Sequence, residues 1–139
     1  MATCGGPPRF LRRAIELHNS KLLRWELRGA DLMARLDAYV HVSLGVPGED
    51  QGTGWSQEVE LLLRNVSVEE KPRELPLWIA GGTIRVAGDA LDLLPIPFEA
   101  GARISLQLWG AEGKLAASGD ALTLTALGEA RFVERFEGA

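Results

Sequence analysis

A run of alternating apolar and polar side chains, from Leu32 to Leu44, is the feature that most constrains the fold of this chain. Successive side chains of a strand point to opposite faces, so a two-residue period places one set against a core and the other towards solvent. A helix would mix the two sets around its circumference. The run therefore predicts a long β-strand with one buried face. Its apolar set is Leu32, Ala34, Leu36, Ala38, Val40, Val42 and Leu44, and the other set is Met33, Arg35, Asp37, Tyr39, His41 and Ser43.

A glycine-rich segment, residues 45–54, follows this strand and is interpreted as a loop at the tip of a hairpin. Residues 55–68 are expected to return as the partner strand. The parity of their apolar positions changes near Arg64 and Asn65, which predicts a β-bulge or a sharp bend there. The two segments together predict a long antiparallel hairpin as the centre of the domain.

The polar face of this hairpin carries most of the candidate ligand-binding residues. If Leu44 pairs with Trp55, apolar side chains face one another along the hairpin, His41 lies opposite Glu58 and Tyr39 lies opposite Glu60. Such a face can orient a polar ligand, hold a cation or act as an acid–base pair, but it equally suits an ordinary solvated sheet surface. Trp55 at the loop exit can stack on a sugar or base, and Asp50 offers oxygen ligands within the loop. The candidate set is Tyr39, His41, Glu58, Glu60, Trp55 and Asp50.

The remainder of the chain completes a mainly β fold. Residues 9–18 place their apolar side chains close to helical spacing and predict a short amphipathic helix, which Asn19 and Ser20 are expected to end. The second half is cut by glycines and prolines into short alternating segments, and residues 129–136 are interpreted as a last strand. We therefore expect an antiparallel β-sandwich or barrel of about eight strands with a short N-terminal α-helix. At 139 residues the chain is expected to be a single domain, residues 1–139, with residues 1–8 as a flexible leader.

Composition and motifs limit the functions that suit such a domain. The net charge of -4 argues against a nucleic-acid binder that relies on a basic face. No nucleotide-binding, hydrolase or metalloprotease motif is present, so we predict no cofactor and no metal site and assign no catalytic residue. The single cysteine, the absence of a signal peptide and the lack of a long apolar run favour a cytoplasmic protein that does not contact membranes.

The tetrapeptide Leu17-His18-Asn19-Ser20, followed by a strand with Trp25, resembles the L-H-D-S-type opening of small uncharacterised bacterial proteins. The resemblance covers residues 17–39. It implies an accessory or toxin-immunity role with no established activity. Asn19 stands where aspartate is usual, so a His–Asp dyad does not carry over to this chain.

Three functions are compatible with these observations. The first is a non-enzymatic protein-interaction or immunity/accessory module that binds another protein, or a second copy of itself, through an exposed edge strand. The alternative is a small-ligand or carbohydrate-binding β-domain that uses the polar face of the hairpin. The third is a hydrolase or isomerase built on Tyr39, His41, Glu58 and Glu60, for which the sequence identifies no nucleophile.

Overall fold

The computed structural model describes residues 12–43, 50–91 and 93–138, with the side chains of residues 12, 50, 51 and 136–138 excepted. The expected leader and most of the hairpin tip, residues 44–49, lie outside this description. Within it the chain is all-β, and these ranges contain no helix that could cross a membrane. The strands are β1 Arg12–Arg28, β2 Asp31–Ser43, β3 Asp50–Arg64, β4 Ser67–Glu70, β5 Leu77–Trp78, β6 Gly81–Val86, β7 Asp89–Leu91, β8 Leu94–Pro95, β9 Phe98–Ala100, β10 Ile104–Gly110, β11 Gly113–Gly119 and β12 Ala121–Gly138.

The strands form two antiparallel sheets. The large sheet has the order β5-β1-β2-β3-β12-β9, and β8 also pairs with β1. The small sheet has the order β4-β11-β10-β6-β7. The mainly β, antiparallel prediction is confirmed. The strand number was underestimated, because glycines and prolines divide residues 77–100 of the described chain into five short strands.

The core is shared between the sheets. Leu32, Leu36 and Val40 of β2 are completely buried, which confirms the apolar face predicted from the alternation. The expectation that the other face is turned to solvent is wrong at Met33, His41 and Ser43, which are buried as well. They belong to one cluster with residues of the small sheet such as Ile104 and Leu108. Burial of such side chains contributes about 1.5–3 kcal/mol each and is the main force that holds the sheets together. We call the face of the large sheet towards this cluster its inner face, and the opposite face its outer face.

The predicted N-terminal helix is wrong. Residues 12–18 belong to β1, where Ala14 pairs with His41 of β2 and also with Pro95 of β8. Ile15 and Leu17 suit a period of two as well as a helical period, and both are buried in the core. The local spacing fits both a helix and a strand, and the sheet partners on both sides of β1 select the strand.

The predicted hairpin loop is too long. β3 begins at Asp50, so its first residues are paired backbone rather than loop, and Gly52 lies opposite Ser43. A Cβ atom at Gly52 would collide with the carbonyl oxygen of Val42. This glycine therefore allows a close approach between two strands, which is a common role of glycine within a sheet.

The predicted bend near Arg64 is confirmed. β3 ends at Arg64, Asn65 adopts a φ of 50°, and the chain continues as β4 in the small sheet. Asparagine tolerates this left-handed backbone better than most residues. The carboxylate of Asp31 accepts the N–H of Asn65 at 3.2 Å, which holds the corner between the two sheets.

Candidate functional site

The register of the central hairpin differs from the predicted one by four residues. Trp55 pairs with Val40 rather than with Leu44. The pairs of His41 with Glu58 and of Tyr39 with Glu60 are therefore wrong, because His41 lies opposite Gly54 and Tyr39 lies opposite Ser56. A shift by an even number of residues keeps apolar side chains opposite apolar ones, so the alternation could not distinguish the two registers.

The six candidate residues are consequently not one cluster. Glu58 lies opposite Asp37 and is 3.3 Å from the guanidinium of Arg35, which also lies opposite Glu60. Trp55 is on the inner face, where it packs against the core. The side chain of Asp50 lies outside the described residues. Tyr39 and His41 remain together, with their rings edge to face and their centroids 5.0 Å apart, while Glu58 and Glu60 lie beside Arg35.

His41 finds its carboxylate partner on β1 instead of β3. Its Nε2 contacts one oxygen of Glu16, and Nε2 of His18 contacts the other oxygen. Asn19 donates a further hydrogen bond of 2.9 Å to Glu16. Both histidines of the sequence therefore meet at one carboxylate, and His41 is buried there.

A bulge in β1 makes this meeting possible. The register of β1 on β2 changes between Glu16 and Lys21, where β1 carries additional residues. The buried hydroxyl of Ser20 accepts the N–H of Tyr39 at 3.0 Å and donates to the carbonyl of Glu16 at 2.8 Å. It thereby replaces ladder hydrogen bonds that the bulge interrupts. The segment expected to end a helix instead positions Glu16 beside His41.

Tyr39 reaches across a neighbouring strand to a second carboxylate. Its hydroxyl donates to Glu134 of β12, two strands away, and its ring lies over Gly54 of β3. A Cβ atom at Gly54 would collide with this ring. Burial, followed by the hydrogen bond to Glu134, raises the pKa of Tyr39 above its ordinary value of 10.0.

A row of polar side chains continues from this cluster along the outer face. Ser56 donates a hydrogen bond of 2.7 Å to Asp37, whose carboxylate is 3.6 Å from the ammonium of Lys21. Lys21 in turn lies 4.4 Å from the ring centroid of Trp78, which is 58% exposed at the end of the row. A lysine at this distance from an indole face makes a cation–π contact.

The chemistry available at this face is limited by how well its groups satisfy one another. Glu16, Glu134 and Asp37 each accept a hydrogen bond or ion pair from a side chain of the sheet. In the described parts of the chain, no group of histidine, cysteine or acidic residues has an arrangement that could hold a metal ion. The Nε2 atoms of both histidines are already in contact with the carboxylate of Glu16, one on each oxygen. The arrangement mainly fixes four long strands to one another.

Sequence reasoning missed Glu16, Gly54 and Glu134. Glu16 precedes His18 by two residues, so a strand interpretation of residues 12–18 would have placed them on one side. Gly54 was assigned to the loop. Glu134 lies opposite Gly54 because of the register between β12 and β3, which has two irregularities. No pattern in the sequence indicates this register.

A second region lies in the C-terminal part of β12, residues 125–138. β9 pairs with residues 122–124 of this strand, and none of the other described strands except β3 pairs with residues 125–138. The rings of Phe132 and Trp55 pack edge to face with their centroids 5.4 Å apart. Phe132 nevertheless remains 56% exposed, and Val133 is 49% exposed. Two neighbouring apolar side chains are thus presented at a sheet edge.

No family model, no curated protein and no solved structure matches this chain.

Proposed function

We propose that this chain is a cytoplasmic, non-enzymatic protein-interaction module of the accessory or immunity type. In this proposal the two sheets form a sandwich-like body, and a partner strand adds to the large sheet along β12. The observation that carries the proposal is the exposure of Phe132 and Val133 on an edge that the described strands leave uncovered beyond residue 124.

Such an edge offers backbone donors and acceptors to a further strand. Natural sheets usually shorten, bend or charge their edges to prevent this pairing. β12 has two bulges and the charged side chains of Arg131 and Glu134 along this edge, yet it is the longest strand in the described chain and also presents apolar Phe132 and Val133 there. Backbone pairing would supply affinity, while the charged side chains would exclude strands of the wrong charge pattern.

The polar cluster around Glu16 supports this choice over catalysis or ligand capture. A ligand at Tyr39 or His41 would have to displace Glu134 or Glu16 from groups that they already contact. Loss of such satisfied hydrogen bonds costs about 0.5–1.5 kcal/mol each before the ligand gains anything. The cluster instead holds β12 in place, since Tyr39 ties Glu134 to the middle of the sheet.

A small-ligand or carbohydrate-binding domain is the second candidate, because Trp78 is exposed at the end of the polar row. A sugar would stack on the indole in place of Lys21. A glycan array probed with the parent protein and with Trp78→Ala tests this candidate. Glycan signals that disappear in the variant would support it, and a parent protein that binds no glycan would contradict it.

A matched pair of lysine substitutions tests the interaction function. Val133→Lys places a charge on the proposed edge, whereas Leu27→Lys changes an apolar residue of similar exposure, 50%, at the end of β1. A photo-reactive phenylalanine analogue in place of Phe132 would first covalently capture the partner in cells. The same analogue in place of Trp109, an exposed aromatic residue of β10 in the small sheet, is the reference site. The captured protein would then be purified, and its affinity for each variant measured by calorimetry.

We expect the Leu27→Lys protein to bind as the parent does, and the Val133→Lys protein to bind about tenfold more weakly or worse. Hydrogen exchange should show new protection in residues 125–138 of the complex. A partner that binds both variants equally, with protection on another strand, would contradict the proposal. Circular dichroism of both variants checks that they fold as the parent does.

A further inference from the structure

We infer that the strand which pairs with β12 is β12 of a second copy of this chain, in an antiparallel arrangement about a two-fold axis perpendicular to the sheet. This inference rests on the proposed function, since it names the partner of the same edge. It is carried by the order of four residues, Arg131-Phe132-Val133-Glu134, and by the bulge that they contain.

The bulge determines which side chains share a face. Arg131 lies opposite Ser56 and Glu134 lies opposite Gly54, so both belong to the outer face, where Glu134 meets Tyr39. Phe132 lies opposite Trp55 on the inner face, and Val133 is the additional residue between them. Without this additional residue, side chains three positions apart would lie on opposite faces.

A perpendicular two-fold axis keeps each face of the sheet on its own side, so it can pair only side chains of the same face. Because of the bulge, Arg131 of one copy can lie opposite Glu134 of the other, and the symmetry repeats this pair. Phe132 then lies opposite Val133 of the other copy, again twice. Opposite charges and apolar side chains in directly opposed positions each stabilise a strand pair.

The same register agrees with the length of the edge that the described strands leave unpaired. Continued past the second irregularity of β12, between Leu127 and Arg131, it places Leu127 opposite Gly138 of the other copy, so the paired segment ends before Leu124, where β9 occupies the edge. The described strands of the two copies therefore join without displacing β9. The large sheets of both copies would become one continuous sheet through two neighbouring β12 strands.

Charge exchange between the paired positions provides the decisive experiment. Sedimentation equilibrium would compare the full chain with Arg131→Glu, Glu134→Arg and the double exchange, at protein concentrations from about 5 to about 500 µM, which brackets dissociation constants between the micromolar and millimolar levels. Arg28→Glu serves as the matched control for Arg131→Glu, because Arg28 is an exposed arginine at the end of β1 with its own partner, Glu26. Tyr39→Phe is the control for the two variants that lack Glu134, since it removes the contact between Tyr39 and Glu134 and leaves both charges in place, so it should dimerise as the parent does.

We expect the parent chain to dimerise, each single reversal to weaken the dimer about tenfold, and the double exchange to restore it to within about threefold of the parent. The Arg28→Glu protein should dimerise as the parent does. Hydrogen exchange supplies a measurement that needs no substitution: protection of residues 127–138 should increase with protein concentration.

A parent chain that stays monomeric over this range would overturn the inference, and so would a dimer that the double exchange does not restore. These failures are distinguishable from failure of the proposed function. If the chain is monomeric but binds a different protein, and Val133→Lys abolishes that binding, then β12 is still a docking edge. That result contradicts only the inference that a second copy of this chain occupies the edge. If the chain dimerises and neither Arg131→Glu nor Val133→Lys weakens the dimer, the dimer interface does not include β12, and the inference is overturned.

Discussion

On the inner face of β2, Leu32, Leu36 and Val40 are completely buried among apolar neighbours, whereas on its outer face Tyr39 and His41 are held by carboxylates from two other strands. The inner face requires side chains of suitable size and polarity, and many combinations satisfy that requirement. The outer face requires particular partners at particular positions. The comparison shows that one strand can be specified by composition on one side and by register on the other.

The largest effect should come from opening a cavity on the inner face. Leu36→Ala removes a completely buried side chain, so we expect the free energy of unfolding to fall by about 2–5 kcal/mol. Arg35→Ala, on the outer face of the same strand, should cost much less, because its partner Glu58 is exposed and the ion pair is weak. Urea denaturation of the two variants measures the difference. Equal losses of stability in the two variants would show that the inner face of β2 contributes no more to stability than its outer face.

A smaller effect should follow from filling the space beneath Tyr39. Gly54→Ala introduces a Cβ that collides with the ring, so we expect a loss of about 1–3 kcal/mol in stability. Gly101→Ala is the matched control, since a Cβ at that position meets no atom within 4 Å.

The double variant Gly54→Ala with Tyr39→Ala checks the cause of that loss. Once the ring is absent, the alanine should cost little, and the two substitutions should couple favourably in a double-mutant cycle. Strictly additive losses would contradict the proposed contact. Favourable coupling would show that Gly54 is required on the outer face only because the ring of Tyr39 lies over it.

The smallest effect should come from Tyr39→Phe, which removes the hydroxyl but keeps the ring. We expect a loss of about 0.5–1.5 kcal/mol near neutral pH. The raised pKa of Tyr39 adds a pH dependence. Above pH 10 the unfolded chain releases its phenolic proton while the folded chain retains it, so the stability of the parent falls as pH rises and its advantage over the variant shrinks.

Tyr39 is the only tyrosine of the chain, so phenolate absorbance reports its titration without interference from another tyrosine. The folded protein should titrate at higher pH than the urea-unfolded protein. Glu134→Gln should move the folded titration back towards the ordinary value, because the carboxylate contributes to the shift. A folded titration at or below that of the unfolded chain would contradict the hydrogen bond to Glu134.

Much of the fold could be predicted from the sequence because burial follows a short period. The inner residues of β2, the bend after Arg64 and the strand character of residues 129–136 all come from local patterns that the structure retains. The helix prediction failed for a related reason: Ile15 and Leu17 fit two periods, and only the pairing of β1 with β2 and β8 selects one of them.

The candidate site was predicted less well because its contacts join distant segments. Tyr39 and His41 were chosen from their place on a polar face, and the structure brings these two together. Their partners, Glu16 and Glu134, lie in strands that precede and follow the hairpin. The proposed partner Glu58 instead lies beside Arg35, because an alternating pattern is unchanged when one strand slides by two or four residues.

The sequence by itself therefore determined which face of the central strand lies in the apolar core, since apolar side chains leave water whichever partner covers them. It did not determine that Met33, His41 and Ser43 on the other face are buried too. Only the tertiary structure decided the register, the bulges and the neighbours of β2, because these depend on hydrogen-bond geometry and on close contacts at positions such as Gly54. The long alternation from Leu32 remains the strongest signal in the chain. It selects the buried face of a strand, and the strands that pair around it select the partners of Tyr39 and His41.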